Sequence, residues 1–198
     1  MHWRAVEPVL CTACYKALPW WNKELVVAPV MPAAIDSFTA PFLYDGPVRE
    51  VILGLKFSGG VRFAPLLAGW MADAVGVVPA NALIVPVPSH ASRLRWRGFS
   101  HTAVLARTLA RRLGCEVSLG GLTRLTKTDG QVHKTRKQRL ALRGVDFAAD
   151  ARVFEGRHVM LLDDIVTTGG TVRACAIALK RAGAVRVDVV SVAYTAGR

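Results

Sequence analysis

The chain has 198 residues, 52% of them hydrophobic, which is long enough to bury a full α/β core and too apolar for disorder over most of its length. Lysine and arginine number 26 against 14 acidic residues, a formal net charge of +12; such a surface draws phosphates, nucleotides or nucleic acid without choosing among them. Four cysteines, Cys11, Cys14, Cys115 and Cys175, are too few and too scattered for a disulfide framework.

Residues 1–36 carry Trp3, Trp20, Trp21, Pro19, Pro29 and Pro32 with one C-x-x-C and no sustained period, and read as a small irregular appendage to a domain over 37–198. A strand is expected over 38–44, ending at the turn Asp45-Gly46-Pro47, and a helix over 47–57 with proline in its first turn. A second helix is expected over about 61–75. The stretch 66–88 holds one formal charge, Asp73, yet it is not a membrane span. Pro79 and Asn81 divide it into a helical half, with Leu66, Leu67, Trp70, Met71 and Val75 on one face, and a buried strand over 82–87. No basic region followed by an apolar run opens the chain, so the cytoplasm is the expected compartment.

After a polar, basic loop, a helix is expected over 100–113, with Ser100 as its cap, Gly114 as its stop, and Val104, Leu105, Thr108, Leu109 and Leu113 on one face. Residues 123–144 are polar and non-periodic, with Lys127, Lys134, Arg136, Lys137, Arg139 and Arg143 against Asp129 alone. A loop of that length is expected to be a mobile lid. The last third reads as strand 158–162, loop 163–170, helix 171–182 stopped by Gly183, and strand 185–194, a right-handed βαβ unit and hence part of a parallel sheet.

Parallel sheets bind ligands beyond the carboxyl ends of their strands, and Asp163 and Asp164 stand at such an end. Thr167, Thr168, Gly169, Gly170 and Thr171 follow and open the next helix. Two glycines let successive amides converge, three hydroxyls add donors, and the helix start adds partial positive charge, which together make a phosphate cup. Two carboxylates beside the cup suit two vicinal ribose hydroxyls, so the order acid, acid, cup fits a ribose 5-phosphate. The acid pair also suits positive charge developing on the sugar as a pyrophosphate leaves.

The segment VMLLDDIVTTGGT (159–171) resembles the signature of the type I phosphoribosyltransferases. Within them the chain is similar to the ComF/GntX competence-associated group, through LKFSGG (55–60), IVPVPSH (84–90), RWRGFSH (95–101), Gln131 and Arg139, a likeness that spans nearly the whole chain. The resemblance implies an α/β fold of parallel sheet flanked by helices. It also implies binding of phosphoribosyl pyrophosphate with Mg²⁺, and transfer of its phosphoribosyl group to an acceptor. By it, Asp163 and Asp164 hold the ribose hydroxyls and Thr167 to Thr171 hold the 5-phosphate; Lys56, Ser89, Arg93 and Arg97 face the pyrophosphate, and the lid closes over the sugar. The family often has asparagine where this chain has Ser100, and purine-salvage members carry a third aspartate where it has Thr167, which leaves the acceptor unread. The resemblance also admits a non-catalytic reading, a ribose-phosphate or nucleic-acid module in competence and DNA uptake that uses the basic lid.

Cys11 and Cys14 have the spacing of half a structural zinc site, with His2 as a candidate third ligand. The group commonly has two such pairs, and here only one is present. Cys115 and Cys175 are expected in the core.

Overall fold

Strands buried on both faces need apolar residues at successive positions, and the three longest apolar runs form the centre of one parallel sheet. The computed structural model describes residues 10–21, 33–57, 60–89, 96, 98–125 and 147–195. The sheet contains β1 (Ser37–Thr39), β2 (Phe42–Leu43), β3 (Ala82–Pro86), β4 (Glu116–Val117), β7 (His158–Val166) and β8 (Arg186–Tyr194). Its order is β1-β8-β7-β3-β4, with β2 also on β8, and every pairing is parallel. Two shorter strands, β5 (Leu122–Arg124) and β6 (Phe147–Ala149), form a separate antiparallel ribbon.

Alternate side chains of the central strands enter two separate cores. Ile84, Met160 and Leu162 point into one, with residues of α2 (Gly46–Phe57), α3 (Ala64–Val75) and α4 (His101–Leu113). Leu83, Val85, Val159 and Leu161 point into the other, beneath α6 (Gly170–Arg181), with Phe147 of the ribbon and Phe154 of the single turn α5 (Ala151–Phe154). Leu161, Leu162 and Val159 are completely buried, and at about 1.5–3 kcal/mol per apolar side chain this run stabilises β7 enough to carry two carboxylates at its end. Among the described residues, no helix is long and apolar enough to cross a membrane.

Local signals hold best in α4. Ser100 accepts the Ala103 amide at 3.2 Å, and Gly114 takes the left-handed conformation that ends the helix. Elsewhere tertiary contacts move the boundaries. The strand expected over 38–44 is two short strands, because Pro41 has no N–H to give the sheet. The helix expected from 61 begins at Ala64, after a tight 3₁₀ turn over Gly60–Phe63. That turn folds back on α2 so closely that a Cβ on Gly60 would lie 2.1 Å from the Gly54 carbonyl oxygen, a place only glycine fits.

The segment before β1 is tied to the domain. Leu18 joins the first core and Trp21 the second. Asp36 closes onto β8: its amide donates to the Val187 carbonyl at 2.8 Å, and its carboxylate accepts from the Val187 amide and the Lys180 ammonium, both at 2.7 Å. Most of the expected lid, 126–144, lies outside the described residues. Its first two positions, Thr123 and Arg124, are not loop but strand β5, because Ala148 and Phe147 stand opposite them.

Candidate functional site

β7 runs four residues further than its apolar run predicts. β3 stops at Pro86, opposite Leu162, but β8 continues beside β7 and pairs with Asp163, Ile165 and Val166. The acids, expected in a loop, are therefore held in a strand that has lost one neighbour. Their backbone is fixed on the β8 side, and past Pro86 the other side of β7 is no longer paired with β3.

Adjacent strand positions face opposite sides of the sheet, and the two carboxyls meet different surroundings. Asp164 is buried at 6% exposure. It faces α2 and α4, where it contacts the Lys56 ammonium and lies 3.4 Å from His101 Nε2. Burial alone would push its carboxyl up, but the His101 hydrogen bond and the Lys56 charge outweigh burial and hold it well below the usual carboxylate range. Asp163, partly buried, accepts the Asp164 amide at 2.9 Å. Burial, and then the neighbouring Asp164 charge, push its carboxyl well above the usual range, with Lys56 only partly offsetting them. Its charge also reaches the buried Cys175 thiol in α6, which is pushed up by burial first and by Asp163 second.

Four residues past Asp163 come the exposed Thr167 and Thr168, then Gly169, whose φ of 74° caps the start of α6. A side chain would be strained there, and glycine is not. Gly170 and Thr171 form the first turn and are exposed, so their amides and hydroxyl face open space at the helix start. The helix expected from 171 thus begins one residue earlier.

The loop after β3 is steered by α4. Thr102, almost wholly buried, donates through Oγ1 to the Val87 carbonyl at 3.2 Å and lies 3.0 Å from the Ser100 hydroxyl. This holds the Val87–Ser89 segment beside the acids, with Ser89 half-buried. Arg93 and Arg97 lie outside the described residues.

The part of the chain that builds this site matches a known family: residues 100–198 match the phosphoribosyl transferase domain. The chain belongs to the phosphoribosyl transferase domain family. The match takes in the acid pair, the threonine-glycine turn, His101 and Thr102, whereas Lys56, Ser89, Arg93, Arg97 and the cysteine pair precede it. Over more of its length the domain is similar to the DNA utilization protein YhgH of Salmonella typhi, 29% identical over 90% of this chain and 75% of that protein. It is also 25% identical to Competence protein F of Haemophilus influenzae, over 90% of this chain and 76% of that protein. Among solved structures it resembles an allosteric regulatory enzyme of purine biosynthesis, with a TM-score of 0.49 and 22% identity, over 71% of this chain and 30% of that one.

Two of the domain's site residues escape a reading of the sequence. His101 and Thr102 open a helix, where polar side chains ordinarily face water, and only the approach of α4 to β7 and β3 buries them. Lys56, expected to face pyrophosphate, reaches the site but pairs with Asp164.

Cys11 and Cys14 sit at the start of α1 (Thr12–Lys16), where the Cys14 amide donates to Cys11 Sγ at 3.5 Å. That hydrogen bond lowers the Cys11 thiol, and Cys11 in turn raises Cys14. Two thiols make half of a zinc site, and among the described residues no group of three or more metal ligands occurs; His2 lies outside them. Cys175 is a core residue as expected, while Cys115 is only partly buried.

Proposed function

We propose that this phosphoribosyl transferase domain binds phosphoribosyl pyrophosphate and transfers its phosphoribosyl group to an acceptor that the sequence does not identify. The observation that carries the reading is the placing of Asp163, a carboxyl destabilised in its charged form, within a few residues of a helix start built on glycine and flanked by three threonines. Amides and hydroxyls of Thr167 to Thr171 would donate to the 5-phosphate, each such bond to a charged group being worth about 1.5–3 kcal/mol. Asp163 would accept from the ribose diol. Asp164, already satisfied by Lys56 and His101, would fix the strand end and lend negative potential beneath the ring as the bond to pyrophosphate breaks.

The donor set fits Mg²⁺, which is held by one or two carboxylates together with substrate phosphates, and a cation against Asp163 relieves the unfavourable burial of its charge. Mg²⁺, when bound, supplies charge neutralisation for the departing pyrophosphate. Ser89, Arg93 and Arg97 would be the protein's own partners for that group, with Lys56 engaged by Asp164, and closure of the lid residues that follow β5 would exclude water as a competing nucleophile.

Calorimetric titration with phosphoribosyl pyrophosphate, with and without Mg²⁺, tests the reading. A saturable, Mg²⁺-dependent heat is expected, weakened about tenfold or more in Thr171→Ala and in Asp163→Asn. Folded protein that takes up no ligand under either condition sinks the reading. The names of the similar proteins carry a second reading, a ribose-phosphate module serving DNA use. On that reading the ligand binds but no purine, pyrimidine or amine acceptor releases pyrophosphate, and duplex or single-stranded DNA binds through the basic surface.

A further inference from the structure

A second polar cluster lies at the opposite, amino-terminal end of the same strands. The registers set Ser37 and Thr39 of β1 beside Asp188 and Val190 of β8, and Asp188 beside Met160 of β7. Met160 and Val190 face the first core, so this corner belongs to the sheet face that is otherwise packed under α2, α3 and α4. Here the helical cover ends. α3 stops at Val75, the chain turns at Gly76, and Val77 to Pro79 form a lip over a cavity of about 440 Å³.

The cavity has two kinds of wall. Val75, Val78, Pro79, Met160 and Val190 supply an apolar side; Ser37, Thr39, His158, Asp188 and Arg186 supply a polar one. A polar group on a core-facing strand position is costly without partners, and Asp188 has several. His158 Nε2 lies 2.6 Å from Oδ2, and Arg186 Nε donates to both carboxylate oxygens at 2.9 and 3.0 Å. Although burial alone would raise it, Arg186, then Ser37 and His158 lower the Asp188 carboxyl below its usual range. Asp36 nearby is held by Lys180. The negative charges are therefore matched within the protein, whereas the two terminal nitrogens of the Arg186 guanidinium donate to no group among the described residues. A mere staple between strands would need no room beside it, and this one lines a cavity of the size that holds small ligands.

From this geometry we infer that the amino-terminal cavity is a second binding site, for a small organic carboxylate with an apolar body. The fork of Arg186 pairs with the carboxylate, Thr39 supplies a hydroxyl, and the lip and Met160 cover the apolar part. The inference is independent of the phosphoribosyl pyrophosphate reading, which concerns the other end of the strands.

Benzoate is the probe, followed by amide chemical shifts in the ¹⁵N-labelled full chain. Saturable shifts are expected at Thr39, His158 and Arg186. Affinity should fall about tenfold or more in Arg186→Gln, and by a similar factor for benzyl alcohol, which keeps the ring without the charge. Val78→Trp, which fills the cavity from its lip, should abolish binding, and Thr171→Ala should leave it unchanged. The unperturbed remainder of each spectrum reports that the variant is folded. Absence of saturable shifts, equal affinity in Arg186→Gln and Val78→Trp, loss in Thr171→Ala, or displacement of benzoate by inorganic phosphate each overturns the inference.

Discussion

The two ends of the central sheet carry the same three-part device with one difference. At the carboxyl end, Asp164 meets Lys56 and His101; at the amino end, Asp188 meets Arg186 and His158. Each trio neutralises a carboxylate that the strand would otherwise bury at a cost of several kcal/mol. The carboxyl end then adds a further acid, Asp163, which forms no ion pair among the described residues and which Lys56 only partly offsets, in the strand that leads through Thr167 and Thr168 to the start of α6. Each trio is balanced by its own cation, whereas the carboxyl of Asp163 is the unbalanced group on which the proposed ribose-phosphate binding rests.

Breaking the better buried trio should cost most. Lys56→Met leaves Asp164 without its cation at 6% exposure, and a loss of about 3 kcal/mol is expected, read from urea denaturation at neutral pH. An unchanged midpoint would show that His101 alone suffices. Asp188→Asn should cost less, about 1–2 kcal/mol, because Arg186 is half exposed and regains water. The Asp188 carboxyl is lowered in the folded state, so its contribution is present above the unfolded value near 3.8 and fades as pH falls through the folded value. Wild type and Asp188→Asn should therefore converge in acid, and a gap that persists below that point would refute the pairing.

Asp163→Asn sharpens the contrast through its sign. A carboxyl whose folded pKa is raised releases its proton less readily folded than unfolded, so wild type loses stability as pH climbs from about 3.8 to the raised value. The variant lacks that penalty and should be as stable as wild type in acid and slightly more stable at neutral pH, even though its ligand affinity falls. A variant less stable than wild type at neutral pH would place Asp163 among the structural groups.

Where a feature is set by neighbours in sequence, reading the chain finds it. The apolar strands expected over 82–87 and 158–162, the capped helix after Ser100 and the glycine turn that opens α6 are all of that kind. Features set by a distant partner leave no such local mark. β7 passes through its acids because β8 is there to pair with them, β4 and the β5–β6 ribbon are too short to show a period, and Pro41 divides an edge that otherwise reads as one strand. The same holds for charge. Asp163 and Asp164 look equivalent in sequence and differ in the fold, because alternation sends one toward α6 and the other toward Lys56 and His101.

The interrupted strand at Pro41 has a consequence for pairing at the sheet edge. The Leu43 amide donates to Pro19, the Trp21 amide donates to the Pro41 carbonyl, and Trp20 bridges Phe42 in the antiparallel sense. The protein's own tryptophan segment thus occupies part of the rim where a foreign strand would dock, and the opposite rim, β4, is only two residues long. Among the described residues, a sheet with one edge partly occupied by the protein's own segment and the other only two residues long gives a foreign strand little to pair with.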